Sequence, residues 1–425
     1  MNQKGFDKDQ AKLVSKPLFA WIAFSNRCNL NCTHCQRPLL KRQGVLIPTD
    51  MSWEVFGKLE SDVFPYLKRI QFGGNNFGEQ LFAANWDRFF ERVSQFGLKI
   101  TVVTNGTLLS SERIKRMVDA GVEFNFSLEG ITAKSFETVR GYPFDKFLDI
   151  VRETCREKNR KAEKGSKVNL GFTASYDNIG EILDLLRMAD QLGVDRVTIP
   201  HFIPWEESQR QQSLAVHKEL ANQIFRKAEQ LGRELNLKVD LPRPFRTDNP
   251  QENADLPEEK SSKEIIPCYH PWQSVSINEK GDVTPCCAAG EILGNLARLN
   301  FAQIWGGFKY KKLRETVNSE RPLRFCQNCP LRGIEVGSSE SIALWNDEDI
   351  LLAGIGHGRK VSSPVLYKVR NNISKTRWGR RLLPHVIEFY RRYWAFTAMY
   401  LWDNGLAVLQ RTQLRLARFK NGFHP

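Results

Sequence analysis

The chain has 425 residues, and its 62 Lys and Arg against 48 Asp and Glu give a net charge of +14. Because 41% of the residues are hydrophobic, the chain can bury a sizeable core, which excludes a disordered or fibrous protein. Neither a secretory signal nor an apolar stretch of about 18 residues is present, so we expect a cytoplasmic protein. Its thiols should stay reduced, and clustered cysteines then indicate metal ligands sooner than disulfides.

Six short apolar runs alternate with longer amphipathic stretches in the first part of the chain, which is typical of a parallel sheet with crossover helices. A helix is predicted over residues 110–120, with Ser110 as its N-cap and Gly121 after its end, and another over 179–192, with Asn178 as N-cap and Gly193 after its end. The predicted strands are 18–25, 68–73, 98–104, 122–128, 168–174 and 195–200.

The composition predicts four segments: an α/β body over residues 17–243, a polar linker over 244–264, a small cysteine-rich domain over 265–335 and a basic aromatic extension over 336–425. Residues 279–282 of the small domain predict a hairpin turn, and a core of that size usually needs a metal. Residues 361–425 carry most of the net charge. We expect amphipathic helices there, packed on the body or resting on a membrane surface, with nucleic-acid binding the least favoured role.

Three cysteines, Cys28, Cys32 and Cys35, lie within eight residues directly after the first predicted strand. Three thiolates at this spacing can hold a cubane iron–sulfur cluster and leave its fourth iron open for chemistry. A zinc site completed by His34, or thiols packed in the core, are the alternative interpretations. The position after a strand favours the cluster, because the loops that follow parallel strands form the catalytic face of a barrel.

The C-x3-C-x2-C motif, with His34 in its aromatic position, resembles that of the radical S-adenosylmethionine (SAM) enzymes. The resemblance implies a partial (β/α)6 TIM-like barrel, a [4Fe-4S] cluster on the three cysteines and SAM bound to the open iron. It further implies reduction by an external donor such as flavodoxin or ferredoxin, cleavage of SAM to a 5′-deoxyadenosyl radical, and hydrogen abstraction from a substrate.

Further segments resemble SAM-binding motifs of the same family. Gly73, Gly74, Gly78 and Glu79 resemble its Gly-Gly-Glu-Pro segment, although three residues are inserted and Gln80 stands where proline is usual. Glycines would let the backbone approach the methionyl amine, and a carboxylate such as Glu79 suits a cation. The remaining SAM-binding residues that the resemblance implies are His34, Asn105, Ser127 (with Glu129 in place of an aspartate) and Asn178.

The second cysteine group and its surrounding sequence resemble the SPASM/twitch domains that hold auxiliary clusters in radical enzymes. The resemblance implies one auxiliary [4Fe-4S] cluster, with Cys287 as a spare or alternative ligand; zinc is the other interpretation. The implied ligands are Cys268, Cys286, Cys326 and Cys329. The ninth cysteine, Cys155, lies within a predicted helix and is expected in the core.

A cluster held by four cysteines would accept electrons, so the sequence favours an oxidoreductase or maturase that dehydrogenates or cross-links its substrate. The substrate class stays open between a peptide or protein side chain and a carbohydrate or alcohol. The alternatives are a non-catalytic iron–sulfur or zinc scaffold or electron carrier, and an RNA-modifying radical enzyme. His201 and Glu206, after the sixth predicted strand, are places to look for a general base.

Overall fold

The computed structural model describes residues 16–74, 78–248, 267–288, 290–327 and 329. Its strands are β1 Phe19–Ile22, β2 Arg69–Phe72, β3 Lys99–Thr104, β4 Glu123–Leu128, β5 Lys167–Phe172, β6 Arg196–Thr198, β7 Lys238–Asp240, β8 Ser274–Ile277, β9 Asp282–Thr284 and β10 Gly294–Asn295. Its α-helices are α1 Arg37–Arg42, α2 Trp53–Asp62, α3 Trp86–Ser94, α4 Ser111–Asp119, α5 Ala133–Arg140, α6 Phe144–Arg160, α7 Ile182–Leu192, α8 Lys218–Glu234, α9 His270–Gln273, α10 Phe301–Trp305 and α11 Phe308–Thr316.

The described strands form one sheet in the order β10-β9-β8-β1-β2-β3-β4-β5-β6-β7. Strands β1 to β7 are parallel neighbours joined by helices, which confirms the predicted TIM-like α/β fold and adds a seventh strand. Strand β8 pairs in parallel with β1, and β9 and β10 continue antiparallel. The cysteine-rich segment therefore extends the sheet of the body, a contact that the sequence did not predict.

The two faces of β1 meet different parts of the molecule. Ala20 and Ile22 belong to the main apolar core, and Phe24 just beyond them packs on aromatic rings of α2 and α3. Phe19 and Trp21 alternate with these residues and form a separate small cluster with Cys286. Because successive side chains of a strand point to opposite faces, these two rings lie on the face away from the helices, which in a TIM-like barrel is the interior.

The predicted N-cap at Ser110, the predicted helix end before Gly193 and the predicted turn are confirmed. Ser110 caps α4, its hydroxyl accepting from the backbone N–H of Arg113 at 3.3 Å, and α7 ends at Gly193 with a φ of 69°. The turn between β8 and β9 places Gly281 at a φ of 78°, and Asn278 accepts hydrogen bonds from the backbone N–H groups of Lys280 and Asp282.

Two further predictions concern the linker that follows the α/β body and the C-terminal extension. Phe245 lies in the predicted linker but is 3% exposed in the core, with its backbone bonded to the Asn222 amide at 2.8 Å. The boundaries at residues 243 and 264 stay a prediction. The extension over 336–425, with its predicted helices and surface contacts, lies outside the described residues. In the part of the chain that the structure describes, no helix is both long enough and apolar enough to cross a membrane.

Candidate active site and auxiliary cysteine site

The loop after β1 arranges the three cysteines with hydrogen bonds to their sulfurs. The backbone N–H groups of Leu30 and Arg37 donate to the sulfurs of Cys28 and Cys35, each at 3.4 Å. Asn105, after β3, directs its amide at the Cys28 sulfur at 3.8 Å. Such N–H groups stabilise thiolate sulfur, so the loop is shaped to hold deprotonated cysteines.

Burial opposes the ionisation of these thiols. It raises the pKa of Cys28 and Cys35 and raises the pKa of Cys32 to about 12. Neighbouring thiols add to this effect, since Cys28 raises the pKa of both Cys32 and Cys35, and Cys35 raises that of Cys32. Three neighbouring buried thiolates need a compensating cation, and an iron cluster supplies one because metal binding releases the thiol protons.

A buried ion pair that the sequence analysis missed lies beside the cysteines. Arg140, the last residue of α5, binds Glu129 with two parallel hydrogen bonds, one of them 2.9 Å, and both side chains are at most 9% exposed. Burial would lower the pKa of Arg140, but Glu129 together with the thiols of Cys32 and Cys28 outweighs that effect and the pKa is raised. The guanidinium lowers the pKa of all three thiols. In the sequence, only the position of Arg140 at the end of a helix distinguishes it from the other arginines.

The glycine loop after β2 approaches the cysteine loop closely. Gly73 and Gly74 have φ values of 82° and 79°, a region that disfavours side chains. A Cβ at Gly78 would lie 2.1 Å from the Ser25 carbonyl oxygen, so only glycine fits there. Gln80 joins the two loops: its amide oxygen accepts from the Phe24 N–H at 2.7 Å, and its nitrogen donates to the Ser25 carbonyl at 3.1 Å.

Glu79 is buried, and its carboxylate is already engaged by the protein. It accepts the backbone N–H of Asn105 at 2.7 Å, that of Leu81 at 3.2 Å and the Thr104 hydroxyl at 3.0 Å. Burial raises its pKa, and these three donors counter the shift. The carboxylate therefore ties the loop after β2 to the end of β3, and its assignment to the SAM amine stays a prediction.

Asn178 does not cap the helix that follows it, so the predicted N-cap role is wrong. Its amide oxygen accepts the backbone N–H of Ser175 at 2.7 Å, and its nitrogen donates to the carbonyls of Glu129 and Thr173 at 2.9 Å. Both amide protons are thus used by the backbone, which fastens the end of β5 to the end of β4. Ser127 lies on β4 opposite Gly171 and is partly exposed.

The loop after β6 covers the cysteine loop. Trp205 donates from its indole to the His34 carbonyl at 3.2 Å, and the His34 ring lies against Phe202 at a centroid distance of 4.5 Å. Glu206 pairs with Arg42 at 2.6 Å beside a groove of about 240 Å³ that Cys35 also lines. His201 is instead buried between Phe225 and Phe245, away from this groove.

Four of the five C-terminal cysteines line a single cavity. This cavity is enclosed by the start of α9, the end of β9 and the last turns of α11, and its cysteines are Cys268, Cys286, Cys326 and Cys329. Cys268 and Cys286 are at most 9% exposed, and burial raises the pKa of Cys286 well above its usual range. Cys287 does not line the cavity and packs against the small apolar group of Phe19, Trp21 and Cys286. The ninth cysteine, Cys155, is in the core, as predicted.

Buried polar atoms without a partner lie on α9 and α11, two of the elements that line this cavity. Among the described residues, the ring nitrogen Nε2 of His270, the Tyr310 hydroxyl and one guanidinium nitrogen of Arg314 have no hydrogen-bond partner. Such groups are rare and each costs about 1–3 kcal/mol. An iron–sulfur cluster offers sulfur acceptors and negative charge, so the residues present fit one. Within the described ranges, no three His, Cys, Asp or Glu side chains could hold a single metal ion, whereas the ligands of a cubane stand further apart.

One buried hydrogen bond joins the two cysteine loops. Asn26, two residues before Cys28, donates to the Glu279 carboxylate at 2.8 Å, and both side chains are at most 6% exposed. The Asn26 amide also donates to the Ile47 carbonyl at 2.9 Å and accepts the Thr49 N–H at 2.8 Å. The turn between β8 and β9 is thereby fastened to the base of the first cysteine loop.

Comparison with protein-family models matches residues 22–189 to the radical SAM superfamily and residues 268–330 to an iron–sulfur cluster-binding domain, SPASM. These segments contain both cysteine sites. The chain belongs to the radical SAM superfamily. As a member with a SPASM domain, this radical SAM protein takes a [4Fe-4S] cluster, SAM and an auxiliary [4Fe-4S] cluster as cofactors.

Relatives of this radical SAM protein are distant in sequence but similar in extent. It is 22% identical to the tungsten-containing aldehyde ferredoxin oxidoreductase cofactor-modifying protein of Pyrococcus furiosus, over 82% of this chain and 97% of the relative. It is 24% identical to the PqqA peptide cyclase of Bradyrhizobium diazoefficiens, over 80% and 86%.

Solved structures share the fold. The chain superposes on anSMEcpe with bound AdoMet with a TM-score of 0.52 at 16% identity, over 83% of this chain and 100% of the other. It superposes on Streptococcus suis SuiB bound to the precursor peptide SuiA with a TM-score of 0.51 at 17% identity, over 81% and 73%. Both likenesses support the TIM-like architecture.

Proposed function

We propose that this protein is a radical SAM oxidoreductase of the maturase type that oxidises a peptide or protein side chain by dehydrogenation or cross-linking. The observation that carries the proposal is the convergence of four cysteines on one cavity, separate from the three-cysteine loop. When bound, the cofactors supply SAM cleavage at an open iron and a fully ligated cluster that can take up an electron. In the proposed oxidation, the substrate loses a hydrogen atom, a proton and an electron.

The residues of the chain serve this chemistry by holding and shielding its components. Cys28, Cys32 and Cys35 would ligate the first cluster, and Arg140 offsets the negative charge of their thiolates. Trp205 and Gln209 hold the loop after β6 against the cysteine loop through the carbonyls of His34 and Thr33, each at 3.2 Å. This cover would exclude water from the radical.

The proposed route for the electron follows from the packing of β1. Trp21 packs with Phe19 and Cys286 in one small apolar group. The centroid of its ring also lies 5.7 Å from that of the His270 ring. The first cysteine loop begins at the carboxyl end of the same strand. A substrate in the barrel interior would lie between the two cysteine sites, which is the arrangement that a two-site oxidation requires.

A peptide substrate is proposed because relatives with that chemistry cover most of the chain. The name of the PqqA peptide cyclases states a peptide substrate, and solved structures of SuiB and anSMEcpe include bound peptides. We also propose flavodoxin or ferredoxin as the reductant. If peptide candidates give no oxidised product, the same reaction mixture with carbohydrate or alcohol candidates tests the alternative substrate class.

The test is anaerobic reconstitution, followed by iron and sulfide counting and an assay of 5′-deoxyadenosine with dithionite and SAM. We expect about eight irons per chain in the wild type and about four after Cys28→Ala, Cys32→Ala and Cys35→Ala are combined. Only the wild type should form 5′-deoxyadenosine. Cys155→Ala is the matched control, because it removes a thiol outside both sites, and should keep about eight irons.

Two outcomes would contradict the proposal. Zinc in place of iron would leave a metal-stapled scaffold. A fully loaded and reduced protein that does not cleave SAM would exclude the radical reaction. Loss of substrate oxidation after Cys286→Ala, with SAM cleavage retained, would support the auxiliary site as the electron acceptor.

A further inference from the structure

His270 lines the C-terminal cysteine cavity, with one ring nitrogen beside the Ser274 hydroxyl and the other without a partner among the described residues. The side chain is 3% exposed. Its Nδ1 lies 2.9 Å from the Ser274 hydroxyl, and its Nε2 has no hydrogen-bond partner among the described residues. A buried imidazole nitrogen that bonds to nothing in the protein is costly, so it indicates a group that occupies the cavity when the protein is loaded.

The Ser274 hydroxyl can donate to Nδ1 of His270, at 2.9 Å, or accept its proton, because the hydroxyl proton can also go to the carbonyl of His270 or Pro285, both at 3.3 Å. The group that Nε2 meets therefore selects the tautomer of the neutral ring. Sulfur atoms in the cavity are acceptors, so they favour the tautomer with the proton on Nε2, in which the hydroxyl donates to Nδ1.

Arg314 places a positive charge beside the same cavity. Its guanidinium is fully buried between the rings of Trp305 and Tyr310, at 4.6 and 4.7 Å. It donates to the carbonyls of Pro271 at 3.0 Å and Trp305 at 2.8 Å, and a third nitrogen has no partner. Pro271 lines the cavity. No carboxylate within the described part of the chain forms an ion pair with Arg314.

Burial lowers the pKa of Arg314 to about 10, because carbonyl oxygens and aromatic faces compensate its charge only in part. An anion near the guanidinium would therefore stabilise its charged form. A cluster held by four thiolates is such an anion, and its negative charge increases when it is reduced. Positive charge and hydrogen bonds to the sulfurs therefore stabilise the reduced form more than the oxidised form. The cavity offers both kinds of stabilisation.

We propose that His270 donates a hydrogen bond from Nε2 to a sulfur of the auxiliary cluster and that Arg314 is the buried counter-charge of that cluster. Together they raise the reduction potential, so that the cluster accepts an electron from the oxidised substrate. The inference rests on the proposed function, because it needs a cluster on Cys268, Cys286, Cys326 and Cys329. His270 and Arg314 are positioning residues in this proposal.

The experiment measures the midpoint potential of the auxiliary cluster alone. The full chain carrying Cys28→Ala, Cys32→Ala and Cys35→Ala is reconstituted anaerobically, and the reduced cluster is titrated by electron paramagnetic resonance. His270→Phe keeps the ring against Trp21 but removes both nitrogens. We expect the midpoint potential of His270→Phe to fall by about 59 mV or more, which makes one-electron reduction at least tenfold less favourable. Arg314→Met should shift the potential in the same direction.

Matched variants separate the hydrogen bond from a general disturbance. His270→Gln keeps an amide donor near the position of Nε2 and should restore most of the potential. His201→Phe is the control, because His201 is also buried, at 6% exposed, and neither of its ring nitrogens has a partner among the described residues, but it does not line the cavity. It should leave the potential unchanged.

Each other outcome overturns a stated part of the proposal. An unchanged potential in His270→Phe, with about four irons retained, overturns the hydrogen bond. Strong nitrogen hyperfine coupling in the protein that retains His270 would mean that the imidazole ligates iron directly, which also overturns the hydrogen bond. No iron in the triple alanine background overturns the auxiliary cluster itself. If Arg314→Met does not fold, His270→Phe and His270→Gln still decide the histidine.

Discussion

The two cysteine sites differ in how their surroundings satisfy the polar groups that they bury. At the first site, Arg140 is paired with Glu129, and the Glu79 carboxylate accepts three hydrogen bonds. At the second, the Arg314 guanidinium has no carboxylate, and the Tyr310 hydroxyl has no partner among the described residues. At the first site the buried charges are therefore paired within the protein, although Nδ1 of His34 and Nε of Arg37 have no partner among the described residues. At the second site the buried cation has no carboxylate in the part of the chain that the structure describes.

This difference fits the roles proposed for the two sites. The first must orient SAM and a substrate, and fixed ion pairs provide a rigid frame for that. The second must change its charge by one electron, and partner-free donors around it can respond to that charge. The predictions below measure how much of each site is stable without its cluster.

The largest effect is expected from Glu129→Gln, which removes the charge that pairs with Arg140. Breaking a buried ion pair leaves an uncompensated charge, so the free energy of unfolding should fall by about 3–5 kcal/mol. Chemical denaturation of the cluster-free protein measures it. Glu60→Gln is the control, because its pair with Arg92 is half exposed and should cost less than about 1 kcal/mol. Equal losses in both variants would show that the first site is not organised by this pair.

A smaller effect is expected from Gln80→Ala, which removes the amide that joins the glycine loop to the end of β1. The buried N–H of Phe24 and carbonyl of Ser25 would lose partners, so the free energy of unfolding should fall by about 2 kcal/mol. The exposed Gln95→Ala should change it by about 0.5 kcal/mol or less. If Gln80→Ala has no effect, water replaces the amide and the frame of the first site is looser than the contacts indicate.

The smallest effect is expected from Tyr310→Phe, which removes a buried hydroxyl that has no hydrogen-bond partner in the described part of the chain. In the cluster-free protein this change should leave stability within about 1 kcal/mol or raise it, since no bond is lost. Thr104→Val removes a hydroxyl at the first site that donates to Glu79 at 3.0 Å and should cost about 1–2 kcal/mol. Denaturation of both variants tests the comparison directly, and a larger loss from Tyr310→Phe would reverse it.

Local patterns in the sequence were sufficient to predict the elements and the ligand motifs. The six βα repeats, the cap at Ser110 and the turn at Gly281 depend on residues close together in the chain, and the structure confirms them. The cysteine spacings also depend on near neighbours. The assigned SAM contacts stay a prediction, and the structure assigns a backbone role to Asn178 in place of its expected cap.

What required the tertiary structure are the contacts between distant residues. The pairing of β8 with β1, the bond from Asn26 to Glu279 and the meeting of Arg140 with the cysteine loop join segments that carry no mark of one another in sequence. The two cysteine sites show the same division between local sequence patterns and contacts of distant residues. Spacing identified the thiols, because a cluster needs ligands at set intervals, but only packing decided which charges and donors lie beside each cluster, since those come from strands and helices that meet in the folded chain.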